Sequence, residues 1–93
     1  MTSLSDTETA ARSTPRVAVV VPCYNENLVV GETATRLEAM LDELISQGAI
    51  DRHSFVYFVD DGSTDETWQR IAALHLSNPV RVKALRLAGN VGH

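Results

Sequence analysis

The sequence predicts an α/β domain with a Rossmann-like, three-layer βαβαβ arrangement of parallel strands. Three apolar segments of strand length, near residues 17–21, 55–59 and 80–87, alternate with two segments whose apolar residues recur every three or four positions. Such alternation is typical of right-handed crossover units, in which the strands run in the same direction. A chain of 93 residues is long enough for one such domain with one hydrophobic core.

The first strand and the first helix are predicted from the segment between Arg16 and Gly48. The run RVAVVV is rich in β-branched residues and lacks polar alternation, which is typical of a strand buried on both faces of a parallel sheet. The strand is expected to end at Pro22, and the helix near Gly48. The apolar residues that share one face of this helix are Val30, Leu37, Met40, Leu41, Leu44 and Ile45.

The second strand is predicted over FVYFV at residues 55–59, and the DDG turn ends it. Ser63 and Glu66 have the spacing of a capping box, which predicts that Ser63 is the N-cap of the next helix. An Asn-Pro pair at positions 78 and 79 is expected to end this helix. The residues predicted to form its buried face are Trp68, Ile71, Ala72 and Leu76.

The third strand, over residues 80–87, completes the predicted sheet, with the strand order 3-2-1 and the first strand at an edge. The carboxyl ends of parallel strands lie at the same edge of a sheet, and ligands bind there. The segments PCYNEN, DDGST and GNVGH each follow a strand. We therefore expect these three turns to lie together around a ligand.

Composition excludes several classes of protein. No apolar run approaches the roughly 20 residues of a membrane-spanning helix. Residues 1–15 are polar and lack the apolar stretch of a secretory signal, so a disordered tail and a cytoplasmic location are expected. The net charge is -4, and the absence of a continuous basic face argues against a nucleic-acid partner. The single cysteine, Cys23, is expected to be a small residue after a buried strand.

The DDGST turn is the strongest candidate for a binding site. Asp60 and Asp61 follow a buried strand, and Gly62 permits a tight turn. A carboxylate in this position can accept hydrogen bonds from a base imide N–H or from ribose hydroxyls. The alternative is that the two acids only end the strand and cap the turn.

The PCYNEN turn is the second candidate. Pro22 makes the strand exit rigid, Tyr24 offers a flat aromatic surface, and Glu26 offers an acceptor, a combination that suits a nucleoside. The alternative is an ordinary polar loop in which Tyr24 packs on the core. The turn lacks the GxGxxG pattern of dinucleotide-binding domains. In the third turn, GNVGH, His93 is expected to be a hydrogen-bonded or simply exposed histidine without a functional role.

Together, VVVPCYNE, VDDGSTDET and LRLAGNVGH resemble the start of family 2 glycosyltransferases, in particular the dolichol-phosphate mannosyltransferase and polyprenyl-phosphate glycosyltransferase branch. The resemblance covers residues 16–93 and implies the nucleotide-binding N-terminal portion of a GT-A domain, truncated at its carboxyl end. It implies an inverting transfer from a UDP- or GDP-sugar, with polyprenyl phosphate as an acceptor. The alternative is a non-catalytic nucleotide-binding or interaction module of α/β fold.

The resemblance also assigns residues. It places Asp60 at the base and Asp61 at the ribose or the turn, and the nucleotide-binding residues it implies are Pro22, Tyr24, Asn25, Glu26, Asp60, Asp61 and Asn90. The sequence has no Asp-x-Asp motif, so the ligands of the expected Mg or Mn ion and the catalytic groups are expected mainly outside this segment. The segment alone is predicted to be inactive. Membrane association, at the cytoplasmic face, is expected only through sequence that follows it.

Overall fold

The computed structural model describes residues 14–87. Their elements, in chain order, are β1 (Ala18–Cys23), α1 (Val30–Ser46), β2 (Phe55–Asp60), α2 (Thr67–Ser77) and β3 (Val82–Arg86). The three strands form one parallel sheet in the order β1-β2-β3. The α/β class and the parallel βαβαβ order are confirmed, and β1 is an edge strand of the described sheet as predicted. The third strand, predicted over residues 80–87, is shorter than expected and covers Val82–Arg86.

The strand register aligns the carboxyl ends of the three strands. Cys23 pairs with Asp60, and Asp60 pairs with Arg86. Two further backbone hydrogen bonds continue this alignment, from Asp61 N–H to the Cys23 carbonyl and from Leu87 N–H to the Asp60 carbonyl, both at 2.9 Å. The residues that follow β1 and β2 therefore begin side by side, at the edge of the sheet where the sequence predicts a ligand.

The hydrophobic core lies between one face of the sheet and the two helices, which also contact each other. Its buried residues are Cys23, Val30, Ala34, Leu41, Ile50, Val56, Phe58, Ile71 and Val82. On the other face of β1, Val20 is 59% exposed. The expectation that this strand is buried on both faces is thus wrong for residues 14–87, because both helices cover the same face. The described residues supply two of the three predicted layers.

Helix α1 forms as predicted, with one exception on its apolar face. Val30 and Leu41 are fully buried, whereas Met40 is 43% exposed. The helix ends at Ser46, and Gly48 then adopts a φ of 75°, in the left-handed region that favours glycine after a helix. The predicted end of this helix near Gly48 is confirmed.

Helix α2 begins three residues later than the capping box predicts. Its first residue is Thr67, and the side chain of its N-cap residue, Glu66, makes no capping bond. Ser63 does not cap the helix, because its hydroxyl is engaged elsewhere. Leu76, which was predicted to be buried, is 78% exposed. It lies five positions after the buried Ile71, about 140° around the helix axis, and so points away from the core.

Several predicted features lie outside the described residues: the first 13 residues of the predicted tail, the GNVGH turn, and Asn90 within that turn. Within residues 14–87, neither helix has the length and apolar character that a membrane crossing requires.

Candidate functional site

Two loops meet at the carboxyl edge of the sheet. The first loop (residues 24–29) follows β1, and the second loop (residues 61–66) follows β2. Three consecutive backbone N–H groups of the first loop donate to side chains of the second loop and of the first residue of α2. The pairs are Asn25 with Ser63 Oγ at 2.9 Å, Glu26 with Thr67 Oγ1 at 2.7 Å, and Asn27 with Asp65 Oδ2 at 3.4 Å. The two predicted binding turns are thus joined directly.

Asn25 is the central residue of this junction. It is the one non-glycine residue between positions 14 and 87 with a positive φ, at 51°. Its side-chain Oδ1 accepts hydrogen bonds from the backbone N–H groups of Thr64, at 2.8 Å, and Asp65, at 3.4 Å. The amide oxygen of this predicted nucleotide-binding residue is therefore engaged with the second loop.

Asp60 is fully buried at the end of β2. Its Oδ2 accepts a hydrogen bond from the Ser63 N–H at 3.1 Å, and its Oδ1 accepts one from the Ser63 hydroxyl. The Nε of Arg86 lies 3.7 Å from Oδ2, so the buried carboxylate has a cationic neighbour as well. These contacts stabilise the second loop, and the carboxylate has no exposed surface open to a ligand in this conformation.

The remaining predicted nucleotide residues of the described segment are exposed. They are Pro22, Tyr24, Glu26 and Asp61. Tyr24 is 55% exposed, so the alternative in which it packs on the core is wrong. The carboxyl edge therefore presents an accessible aromatic ring and two accessible carboxylates, groups that can stack on a base and accept hydrogen bonds from it.

Asp65 and Thr67 are structural members of the site that the sequence patterns did not reveal. Thr67 donates to Asp65 Oδ1 through its hydroxyl at 2.5 Å and through its N–H at 2.8 Å. Although desolvation raises the pKa of Asp65, the bonds from Thr67 and from the Asn27 N–H outweigh it and hold the pKa below its ordinary value. The segment STDET at residues 63–67 could have indicated them, since short hydroxyl and carboxylate side chains often bond to nearby backbone N–H groups.

The described residues do not fit a complete site for the expected Mg or Mn ion. Among residues 14–87, no three His, Cys, Asp or Glu side chains are grouped so that they could hold a metal ion. Both oxygens of Asp60 accept from Ser63, and the guanidinium of Arg86 already lies beside them. A cation in this position disfavours a second cation at the same carboxylate.

Cys23, the last residue of β1, is expected to be unreactive in the folded protein. Burial, with smaller contributions from the charges of Glu26 and Asp60, raises the pKa of its thiol from 9.0 to about 11. At pH 8 the thiolate fraction is then roughly a hundredfold smaller than that of an ordinary thiol, and the thiolate is the reactive form. Iodoacetamide labelling, quantified on the Cys23 peptide by mass spectrometry, should be correspondingly slow at pH 8 and should accelerate as the pH approaches 11.

The same protein in guanidinium chloride is the control for this experiment, and its Cys23 should be labelled at the rate of an ordinary thiol. Equal labelling rates in the folded and unfolded protein at pH 8 would contradict the prediction.

Comparison with known proteins agrees with this architecture. The model of the family described as "Glycosyl transferase family 2" matches residues 18–93. The chain is 45% identical over 82 residues to the "Uncharacterized glycosyltransferase YkoT" of Bacillus subtilis (strain 168), covering 88% of this chain and 24% of that protein. It is 36% identical over 76 residues to the "Uncharacterized glycosyltransferase YkcC" of the same strain, covering 82% of this chain and 21% of that protein. The chain thus spans about a quarter of the length of these relatives, and it belongs to glycosyl transferase family 2.

Proposed function

We propose that the full-length protein is an inverting glycosyltransferase that transfers a sugar from a UDP- or GDP-sugar, and that this segment binds the nucleotide. The observation that carries the proposal is the junction of the two loops at the carboxyl edge of a parallel sheet. Ligands of such sheets bind at this edge, and the exposed groups there suit a nucleoside. Membership of the family supplies the expectation of sugar transfer.

In this proposal, the exposed ring of Tyr24 stacks on the nucleoside, with Pro22 beside it. The exposed carboxylates of Glu26 and Asp61 accept hydrogen bonds from the base or the ribose. Asp60 acts at the base end of the site, and its bonds to Ser63 hold the second loop in place. A nucleoside carries no charge, so acidic side chains are better suited to this end of the donor than to its diphosphate.

The resemblance to the polyprenyl-phosphate branch of the family supports a narrower proposal. The acceptor is then a polyprenyl phosphate, and the protein acts at the cytoplasmic face of a membrane. Sequence outside residues 14–87 would supply the membrane contact, the catalytic groups, and the main ligands of a divalent cation beside the diphosphate. Asn90 is included among the proposed nucleotide contacts on the same resemblance.

Calorimetric titration of the full-length protein with UDP, GDP and ADP tests the proposed binding. We expect UDP or GDP to bind more tightly than ADP, because uracil and guanine each carry a ring N–H that a carboxylate accepts, whereas the corresponding ring nitrogen of adenine carries no hydrogen. Glu43→Gln is a matched acidic control, since Glu43 is exposed on α1, and it should bind as the unmodified protein does. Absence of binding by all three nucleotides would contradict the proposal.

Turnover distinguishes an enzyme from a non-catalytic nucleotide-binding module. The full-length protein with donor and lipid-phosphate acceptor should release free UDP or GDP, and the 93-residue chain alone should release none above a blank. A full-length protein that binds nucleotide but transfers no sugar to any acceptor would favour the non-catalytic module.

A further inference from the structure

We propose that Asn25 is a positioning residue that locks the first loop to the second, so that the exposed groups of both loops form one rigid nucleotide surface. This inference rests on the proposed function and extends it, because the resemblance assigns Asn25 only a direct nucleotide contact. The observation that carries it is the combination of a left-handed backbone conformation with a side-chain oxygen bonded to the opposite loop.

The backbone of Asn25 is the first part of the lock. Its φ of 51° lies in the left-handed region, which asparagine tolerates better than most residues other than glycine. In this conformation its N–H donates to Ser63 Oγ, and the following N–H, of Glu26, donates to Thr67 Oγ1. A residue that resists a positive φ would therefore misplace two successive donors.

The side chain of Asn25 is the second part. Its Oδ1 accepts the N–H groups of Thr64 and Asp65, which are 39 and 40 positions away along the chain. With the bond to Ser63, one residue thus contacts three consecutive residues of the second loop. These contacts fix the distance between the two loops, which no short-range contact could do.

Ser63 links the lock to the end of β2. Its hydroxyl oxygen accepts from the Asn25 N–H, and its hydroxyl hydrogen goes to Asp60. The chain of bonds therefore runs from Asn25, two residues after β1, through Ser63 to the buried carboxylate that precedes Asp61. Without these bonds, the exposed groups of the two loops can move independently. Nucleotide binding must then order them, and the free-energy cost of this ordering lowers the affinity.

Three substitutions of Asn25 separate the two parts of the lock in the full-length protein. Asn25→Asp keeps both the acceptor oxygen and the tolerance of a positive φ, Asn25→Gly keeps only the conformation, and Asn25→Ala loses both. Asn25 is exposed, so none of these changes leaves a cavity in the core. Asn27→Ala is the matched control, because Asn27 contributes a backbone N–H that alanine retains.

The hydrogen-exchange rates of the Thr64 and Asp65 N–H groups show whether their bonds to Asn25 Oδ1 are formed. Titration with UDP and GDP measures how loss of these bonds changes nucleotide affinity. We expect exchange about tenfold faster in Asn25→Gly and Asn25→Ala, and close to the unmodified rate in Asn25→Asp and Asn27→Ala. Nucleotide affinity should fall about threefold in Asn25→Gly and about tenfold in Asn25→Ala.

The outcomes distinguish three claims: that the lock exists, that it positions the nucleotide-binding groups, and that the protein binds UDP or GDP. Unchanged exchange in Asn25→Ala overturns the lock. Faster exchange with unchanged affinity for a nucleotide that the unmodified protein binds overturns the positioning role and leaves the proposed function standing. If the unmodified protein binds neither nucleotide, the proposed function fails and the positioning role fails with it, while the exchange rates still decide whether the lock exists.

Discussion

Replacing Asp60 by asparagine is expected to lower the affinity of the full-length protein for its nucleotide by ten- to more than a hundredfold, about 1.5 to 3 kcal/mol. Asparagine has nearly the same shape but exchanges one acceptor oxygen for an N–H₂ donor. In the folded protein, Ser63 directs two donors at the Asp60 carboxylate, and Arg86 Nε lies 3.7 Å from it. One of the two oxygens that accept from Ser63 would be lost, together with the charge that faces Arg86, so the second loop would be held less firmly.

Titration calorimetry with UDP and GDP measures this effect, with circular dichroism to verify that the variant is folded. Glu43→Gln again serves as the control. Glu38, on the same helix, would be a poorer control, because its Oε1 accepts a part-buried hydrogen bond at 3.0 Å from Asn78 Nδ2, 40 positions away, whereas the bond of Glu43 is exposed and stays within one turn, to Gln47. An Asp60→Asn variant that is folded and binds nucleotide as tightly as the unmodified protein would reduce the DDGST turn to a structural element.

Ser63→Ala tests whether Asp60 acts through the second loop. This substitution keeps the charge of Asp60 but removes the hydroxyl that joins Asp60 to Asn25. If the buried carboxylate acts by holding the loop, affinity should fall in Ser63→Ala as well, although less than in Asp60→Asn. Full affinity in Ser63→Ala together with a large loss in Asp60→Asn would instead indicate direct contact between Asp60 and the base.

Replacing Phe58 by alanine is expected to destabilise the protein by about 3 to 5 kcal/mol, the usual cost of removing a large buried aromatic side chain. Phe58 lies in the central strand of the described sheet, between Val21 and Ala84, and has no exposed surface. The missing ring would leave a cavity that its paired neighbours cannot fill. Guanidinium chloride unfolding of the full-length protein, followed by circular dichroism, gives the change in the free energy of unfolding.

Phe55→Ala is the matched control for Phe58→Ala. Phe55 lies in the same strand but is only partly buried, and the Arg16 guanidinium carbon lies 5.0 Å from its ring centroid. Its loss should cost clearly less, because water already reaches the site. Equal destabilisation by the two variants would mean that the face of β2 that carries Phe55 is as well packed as the core face.

Much of the fold could be predicted because its signals are local. The β-branched run before Pro22 and the FVYFV segment gave two strands within two residues of their observed bounds. The spacing of apolar residues predicted α1 to its last turn, and Gly48 marked its end. Burial was less predictable than secondary structure. The exposure of Val20 depends on which face of the sheet both helices cover, and no local pattern carries that information.

The start of α2 shows how a long-range contact overrides a local pattern. Ser63 and Glu66 have the spacing of a capping box, but the Ser63 hydroxyl bonds to Asp60 and to the Asn25 N–H instead. Asn25 lies 38 positions earlier in the chain, so nothing near Ser63 predicts this bond. The helix therefore begins at Thr67, whose own hydroxyl accepts from Glu26.

The sequence by itself determined the class of fold, the order of its elements, the two turns that carry the candidate site, and the resemblance to family 2 glycosyltransferases, which the family model bears out. The tertiary structure decided which residues of those turns are buried, which are exposed and which join the two loops. It buried Asp60, left Asp61 and Tyr24 exposed, and engaged Asn25 with the second loop. The physical reason is distance along the chain. Elements form from contacts within a few residues, whereas the site forms from hydrogen bonds between segments about 40 residues apart, which exist only after the parallel strands have aligned.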